Sequence, residues 1–85
     1  MTSDLIERFI ETDKRTNQAV NIHFKSRNTV TGLFIRAGDY NELKSKNFWR
    51  IVPASRLETW KKTKDINLSR LFNGTEFTRL SYEKE

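Results

Sequence analysis

The chain has 85 residues, of which sixteen are Lys or Arg and eleven are Asp or Glu, giving a formal net charge of +5. This length favours a single domain over residues 1–85, and the lack of cysteine excludes disulfides and thiolate metal sites. No apolar run approaches the roughly 20 residues that cross a bilayer, so we expect a soluble, cytoplasmic protein with no membrane partner. The positive charge favours an anionic partner such as nucleic acid, although charge alone is weak support.

An amphipathic helix is predicted over about residues 4–13. Its apolar side chains recur at helical spacing, at Leu5, Ile6, Phe9 and Ile10. Asp4 has Glu7 three places on, the spacing of a capping box, and Lys14 and Arg15 follow at the negative end of the helix dipole. Because a helix of about ten residues is marginal alone, we expect its apolar stripe to dock on one open end of a barrel formed by the strands that follow.

The stretch from residue 20 to residue 35 predicts a bent β-hairpin. Residues 20–24 alternate between apolar and polar types, the period of a half-buried strand, and residues 26–28 have turn chemistry. Residues 29–35 are rich in β-branched and aromatic side chains, which favour a second strand. Gly32, in the middle of that strand, is typical of a sharp bend or a close backbone approach. We expect the strand to bend there and to close a small barrel.

A turn and a third strand are predicted next. Residues 36–41 combine Gly, Asp and Asn and favour a turn, and residues 44–47 are polar and basic. Residues 48–52 favour a strand, which Pro53 ends because proline cannot donate to a β-ladder.

Residues 54–65 are compatible with two structures. In residues 54–65, Ser55 and Glu58 have capping-box spacing and favour a short helix. The same segment can instead turn after Pro53 into a strand over residues 56–61, which is the slightly favoured prediction.

The last part of the chain is predicted to end in a strand and a loose tail. Asn73-Gly74 between residues 68–72 and residues 75–81 predicts a hairpin. The alternative is a helical turn from Asp65 that Gly74 ends. In either case residues 75–81 form the final strand, and residues 82–85 are expected to be a loose tail.

One helix followed by about five short strands, the second of them bent, resembles the Sm-like fold. The first motif of that family places apolar residues two before and two after a glycine, as Val30, Gly32 and Phe34 do. An Asp and an Asn follow in the next loop of the family, and Asp39 and Asn41 resemble them. The second motif joins an apolar residue, Arg and Gly. Here Phe72-Asn73-Gly74 has that shape, with Asn in place of Arg.

The resemblance implies a mainly β fold with an N-terminal helix, a small five-stranded Sm-like or Tudor-like barrel. In Sm-like proteins the two motif loops line the pore of a ring and hold a base and its phosphate. The resemblance therefore implies this role, and a homo-oligomer, for the positions Asp39, Tyr40, Asn41, Asn73 and Gly74. Tudor and Src-homology barrels share the same strand alternation.

The residues give little indication of catalysis. His23 is the only histidine, and alternation places it on the face opposite its apolar neighbours. Catalysis or metal binding at His23 needs partner groups that are absent nearby in the sequence. The three glycines form no nucleotide-binding fingerprint. We expect no enzyme activity, no metal and no cofactor.

Basic and aromatic residues instead indicate a nucleic-acid surface, because cations contact phosphates while exposed rings stack on bases. The candidates are Lys25, Arg27, Tyr40, Lys44, Lys46, Arg50, Trp60, Lys61, Lys62 and Lys64. Trp49 is a further stacking candidate, and the competing interpretation places one or both tryptophans in the core. The predicted function is a non-catalytic module that binds RNA or single-stranded nucleic acid. The alternative is a protein-interaction or scaffold barrel that uses a strand edge or the N-terminal helix.

Overall fold

A computed structural model describes residues 1–12 and 19–82. The helices are α1 (Ser3–Thr12), α2 (Tyr40–Ser45) and α3 (Leu57–Thr63). The strands are β1 (Val20–Phe24), β2 (Val30–Phe34), β3 (Phe48–Pro53), β4 (Arg70–Asn73) and β5 (Phe77–Tyr82). Short 3-10 turns lie at Ala54–Arg56, Ile66–Leu68 and Gly74–Glu76.

The strands form one antiparallel five-stranded sheet in the order β4-β3-β2-β1-β5. The predicted N-terminal helix and five strands are therefore confirmed. The sheet is open, however, and does not close into the predicted barrel. The turn Gly74–Glu76 carries the chain from β4 at one edge to β5 at the other, where β5 pairs with β1 from Val20↔Tyr82 to Phe24↔Phe77.

Gly32 provides the close backbone approach that its position predicted. A Cβ atom on Gly32 would lie 2.6 Å from Ile51 Cγ2 and 2.8 Å from the carbonyl oxygen of Val52. Both atoms belong to β3, which pairs with β2 in the register Leu33↔Val52. Glycine at this position thus allows β2 to pack tightly against β3, within a sheet that stays open.

The main core lies on one face of the sheet, beneath α1. Its buried members are Ile6, Val20, Ile22, Trp49, Ile51, Phe77 and Leu80. The predicted apolar stripe of α1 docks there through Ile6, whereas Leu5 stays 49% exposed. Phe9 stacks on Tyr82 with 4.9 Å between ring centroids. Tyr82 therefore belongs to β5 and not to the loose tail that was predicted from residue 82.

A smaller apolar cluster covers the opposite face of the sheet. Leu33, Ile35 and Val52 are buried there, and Leu57 and Trp60 of α3 pack against them. The favoured strand over residues 56–61 is therefore wrong, because a helix brings Leu57 and Trp60, three apart, onto one surface. The predicted Ser55–Glu58 capping box does not form either: Arg56 occupies the N-cap position without a side-chain hydrogen bond.

The predicted hairpin at Asn73-Gly74 is also wrong. The Asn73 side chain accepts a hydrogen bond from the Thr75 backbone N–H (3.0 Å) and caps a 3-10 turn. The Gly74 backbone N–H donates to the carbonyl oxygen of Asn47 (2.8 Å). For residues 65–72 the alternatives were a helical turn and a strand. The structure contains part of each, because the 3-10 turn Ile66–Leu68 leads into β4.

Several predictions concern residues that the structure does not describe. Lys14 and Arg15 at the end of the first helix, the connector 16–18 and the tail 83–85 lie outside the described residues. Within residues 1–12 and 19–82, no helix has both the length and the apolar character that a membrane span requires.

Candidate functional site

Three of the predicted phosphate-binding cations are bound to carboxylates of the same chain. The ion pairs are Lys44 with Glu7, Lys46 with Glu42 (3.7 Å) and Arg50 with Asp39 (2.7 Å). The Arg50 guanidinium donates from two nitrogens, to Asp39 Oδ1 (3.2 Å) and to Asp39 Oδ2 (2.7 Å). Two of these pairs fix the position of α2, against α1 through Lys44 and against β3 through Arg50. A phosphate group at Lys44 or Arg50 would have to compete with a carboxylate that is already in place, whereas the exposed Lys46–Glu42 pair is weak and competes less.

The hydrogen bonds within two of these ion pairs shift pKa values in the direction that keeps the groups charged. The hydrogen bond from Arg50 lowers the pKa of Asp39, and the same bond raises the pKa of Arg50. The hydrogen bond to Glu7 raises the pKa of Lys44. All three groups therefore stay charged at neutral pH, and the residues from Asp39 to Arg50 form a scaffold of internal ion pairs.

Tyr40 belongs to the same scaffold. Its hydroxyl donates to Glu11 Oε2 (2.7 Å). Burial raises the pKa of Tyr40, with the hydrogen bond to Glu11 as the second cause, and this bond in turn lowers the pKa of Glu11. The Arg36 guanidinium and the Lys44 ammonium lie 5.4 and 5.3 Å from the Tyr40 ring centroid. Of the predicted trio Asp39, Tyr40 and Asn41, only Asn41 is exposed.

The structure separates this trio from the other positions that the Sm-like resemblance indicated. Gly74 contacts Asn47, which lies beyond the C-terminal end of α2, whereas Asp39 is the N-cap of that helix. The six residues of α2 therefore lie between Asp39 and Asn47, and six helical residues span about 9 Å. Asn47 is itself occupied, because its Oδ1 accepts from Trp49 Nε1 (2.8 Å) and its Nδ2 donates to the Met1 carbonyl (3.0 Å). Trp49 is 2% exposed and belongs to the core, as the competing interpretation expected.

A groove of about 450 Å³ lies between β4 and the end of β1. We call it the β4 groove, lined by Phe24, Ser26, Arg27, Arg70, Leu71, Phe72, Asn73 and Glu76. The rings of Phe24 and Phe72 lie 5.9 Å apart. The guanidinium of Arg27 lies 5.0 Å from the first ring centroid and 5.9 Å from the second. Cationic and aromatic groups therefore share one concave surface.

The polar groups of the β4 groove include a side-chain amide. Asn73 Oδ1 accepts from both the backbone N–H and the hydroxyl of Thr75 (3.0 and 2.8 Å), and among residues 1–12 and 19–82 the Asn73 Nδ2 group has no hydrogen-bond acceptor. The Lys25 backbone N–H donates to the Glu76 carbonyl (3.0 Å) and ties the β1–β2 turn to the turn after β4. The exposed side chains of Lys25 and Arg70 add positive charge.

A second groove, of about 390 Å³, lies beside α3. We call it the Trp60 groove, lined by Ile10, Leu33, Phe34, Ile35, Arg36, Trp60 and Lys64. Trp60 is half-buried, and Lys64 Nζ lies 5.3 Å from its ring centroid. Lys61 and Lys62 are exposed on α3 and do not line this groove.

His23 lies in a polar network on the outer surface of β1. Its Nδ1 is 3.2 Å from Thr29 Oγ1, and its Nε2 is 3.3 Å from an Arg79 nitrogen and 3.4 Å from Ser81 Oγ. Within residues 1–12 and 19–82, no three His, Asp or Glu side chains are grouped so that they could hold a metal ion.

The structure thus brings together some predicted residues and adds others. Arg27 and Asn73 meet in the β4 groove, and Trp60 and Lys64 meet in the Trp60 groove. The sequence did not indicate Phe24, Phe72, Arg70, Glu76 or Arg36, all of which line these grooves. Phe24 and Phe72 are separated by 48 positions, so only the order of the strands reveals that they are neighbours.

Comparison of the chain with protein-family models, with curated proteins and with solved structures gives no significant match. Its function therefore has to be inferred from the geometry of the two grooves.

Proposed function

We propose that the protein is a non-catalytic module that binds RNA or another single-stranded nucleic acid in the β4 groove. The observation that carries the proposal is the meeting of two phenyl rings and two arginines, Arg27 and Arg70, in one groove. Aromatic rings that accept bases, next to cations that accept phosphates, are the usual means of holding single strands.

The chemistry of the groove favours an unpaired strand over a duplex. Phe24 and Phe72 are half-buried, so part of each ring stays accessible to a base. Bases in a duplex are stacked on one another and cannot reach such rings, whereas a single strand can splay a base outward. The volume of about 450 Å³ falls in the range of small-ligand sites, about 300–1,000 Å³.

The ion pairs of Lys44, Lys46 and Arg50 restrict the proposed phosphate-binding surface to other cations. Phosphates are contacted by Lys25, Arg27 and Arg70, while Lys44, Lys46 and Arg50 keep their carboxylate partners. Asp39, Tyr40 and Asn41 then shape the scaffold beside the site instead of holding a base.

The resemblance to Sm-like proteins supports the same proposal and adds an assembly. β4 and β5 lie at the two edges of the sheet, each with one neighbouring strand. Exposed strand edges pair readily with other chains. We therefore include in the proposal a cytoplasmic Sm-like module that forms a homo-oligomer through these edges.

Fluorescence anisotropy with a labelled single-stranded oligonucleotide tests the binding function. Affinity should fall with salt, with a log–log slope of about −0.7 per phosphate contact. Arg27→Ala and Arg70→Ala should each reduce the slope by about 0.7. Phe72→Leu should weaken binding by about 5- to 150-fold at an unchanged slope, because it removes a stacking surface and no charge.

Arg56→Ala is the matched control, since Arg56 is exposed and does not line the β4 groove. This variant removes one positive charge and should change the slope much less than Arg27→Ala does. A lack of binding at low salt, or equal effects of Arg56→Ala and Arg27→Ala, would refute the proposal.

A second candidate function, protein interaction through the β4 edge, is favoured by one observation. Leu71 of β4 is 52% exposed, and Phe48 and Ile66 are also exposed. An extended peptide could add to this edge by strand pairing. Self-pairing at this edge, which the homo-oligomer proposed above also uses, should give by light scattering a mass above 10.1 kDa that increases with concentration, and Leu71→Lys should restore the monomer mass. A monomer at every concentration would argue against self-association at this edge.

A further inference from the structure

We propose that the Trp60 groove is a second binding site, for a small amphipathic anion that joins a carboxylate to an apolar body. This site shares no lining residue with the β4 groove. The proposal therefore stands independently of nucleic-acid binding.

The floor and walls of the Trp60 groove supply an apolar surface. Leu33 and Ile35 are buried in the cluster beneath α3, and Trp60 packs against that cluster while remaining partly accessible. Ile10 and Phe34 complete the apolar lining. The volume of about 390 Å³ lies within the range of small-ligand sites. An aliphatic or flat apolar body can therefore be removed from water here.

The rim of the groove supplies two cations, Arg36 and Lys64. Within residues 1–12 and 19–82, neither forms an ion pair, whereas Lys44, Lys46 and Arg50 all do. Both instead lie against aromatic rings, Arg36 over Tyr40 at 5.4 Å and Lys64 over Trp60 at 5.3 Å. Arg36 also interacts electrostatically with Glu11, which accepts the hydrogen bond of Tyr40. Positive charge beside an apolar surface is complementary to a ligand with one anionic end. Arginine in particular binds a carboxylate through two parallel hydrogen bonds.

The backbone of Lys64 gives independent support. Lys64 ends α3 in the left-handed conformation (φ 54°, ψ 30°), and its N–H donates to the Trp60 carbonyl (2.8 Å). Glycine is the usual residue at this position of a helix end, because a Cβ atom is unfavourable there. The chain instead has a lysine whose ammonium lies over the groove wall. Backbone strain at a residue that lines a site is typical of binding positions.

Isothermal titration with decanoate and with decanol tests the proposed chemistry. The two probes share an apolar body and differ in the anionic group. Decanoate should bind, and decanol should bind at least about tenfold more weakly, because it lacks the charged hydrogen bonds to Arg36 and Lys64. Equal affinities for the two probes, or no binding of decanoate below its aggregation concentration, would overturn the proposal.

Lys64→Gly separates loss of binding from loss of fold. It should weaken decanoate binding about tenfold without lowering the melting temperature, because glycine relieves the left-handed backbone. Arg36→Met should weaken decanoate binding to a similar degree. Lys62→Ala removes the same charge from α3 outside the groove and should leave the affinity unchanged. An equal loss in Lys62→Ala would show that general charge, and not this groove, attracts the probe.

Reciprocal measurements keep the two proposals distinct. Arg27→Ala and Arg70→Ala should weaken oligonucleotide binding and leave decanoate binding unchanged. Arg36→Met should weaken decanoate binding and leave oligonucleotide binding unchanged. Competition between the oligonucleotide and decanoate that depends on Lys64 would overturn the amphipathic-anion site and assign the Trp60 groove to nucleic acid.

Discussion

Gly32→Ala should destabilise the fold through the contact between β2 and β3. The new methyl group would lie 2.6 Å from Ile51 Cγ2 and 2.8 Å from the Val52 carbonyl oxygen, about 1 Å closer than ordinary contact distances of about 3.5–4.0 Å. Ile51 is fully buried, and the oxygen belongs to the β3 backbone, so neither can move aside without disturbing the sheet.

The expected cost combines two opposing effects. Overpacking of this kind costs about 1–3 kcal/mol. The restriction of the unfolded chain by alanine offsets about 0.4–1 kcal/mol of that cost. We expect a net loss of about 1 kcal/mol in the free energy of unfolding and a fall of about 4–8 °C in the melting temperature. Urea unfolding followed by tryptophan fluorescence measures the first, and the slope m should not change.

Gly38→Ala is the control for this prediction. No atom lies within 4 Å of the Cβ position at Gly38, and its backbone does not have a positive φ. The control should therefore be neutral, or should stabilise by about 0.4–1 kcal/mol. If Gly32→Ala and Gly38→Ala have the same stability, the close approach of β2 and β3 is not the reason for glycine at position 32.

Three further predictions follow from individual side chains. Asn47→Gly relieves a positive φ of 61° but removes the acceptor of Trp49 Nε1, so calorimetry should show a lower melting temperature and a net loss of about 1–2 kcal/mol. Trp49→Phe leaves Asn47 Oδ1 without this donor and creates a void in the core, and denaturant unfolding should show a loss of about 2–4 kcal/mol. Asp39 has a lowered pKa because Arg50 donates to it. Its stabilising effect is therefore complete above the ordinary carboxyl value of about 3.9 and disappears as the pH falls through the lower folded-state pKa. Asp39→Asn should accordingly be less stable than the parent near neutral pH, and melting curves of the two should converge in strong acid. A difference that is independent of pH would contradict this reasoning.

The positive charge of the chain illustrates how far composition predicts a site. The net charge of +5 favoured an anionic partner, but it did not indicate which part of the surface would bind that partner. Which cations remain available depends on carboxylates distant in sequence, such as Glu7 beside Lys44 and Asp39 beside Arg50. No local pattern reports such pairs, because the two residues meet only after α2 has packed between α1 and β3.

Each failed prediction relied on a local sequence pattern, whereas contacts with residues distant in the chain decided the structure there. Asn73-Gly74 is a strong hairpin pattern, but β5 gains its hydrogen bonds from β1, so the chain turns away from β4. Leu57 and Trp60 fit a helix or a strand equally well by local spacing, and the apolar face at Leu33 decides for the helix. α2 was missed because Tyr40 and Leu43, three apart, are too short an apolar pattern to predict a helix, and its position depends on contacts made by neighbouring elements.

The sequence by itself determined α1 and the first three strands, because helical and alternating apolar periods are local properties of the chain. It also indicated a bend or a close backbone approach at Gly32, and the structure shows the close approach. Tertiary structure alone decided the order of the strands, the open sheet, and the two grooves in which cations meet aromatic rings. Those features depend on which strand edges and apolar faces pair, and residues that are far apart in the chain supply both sides of each pairing.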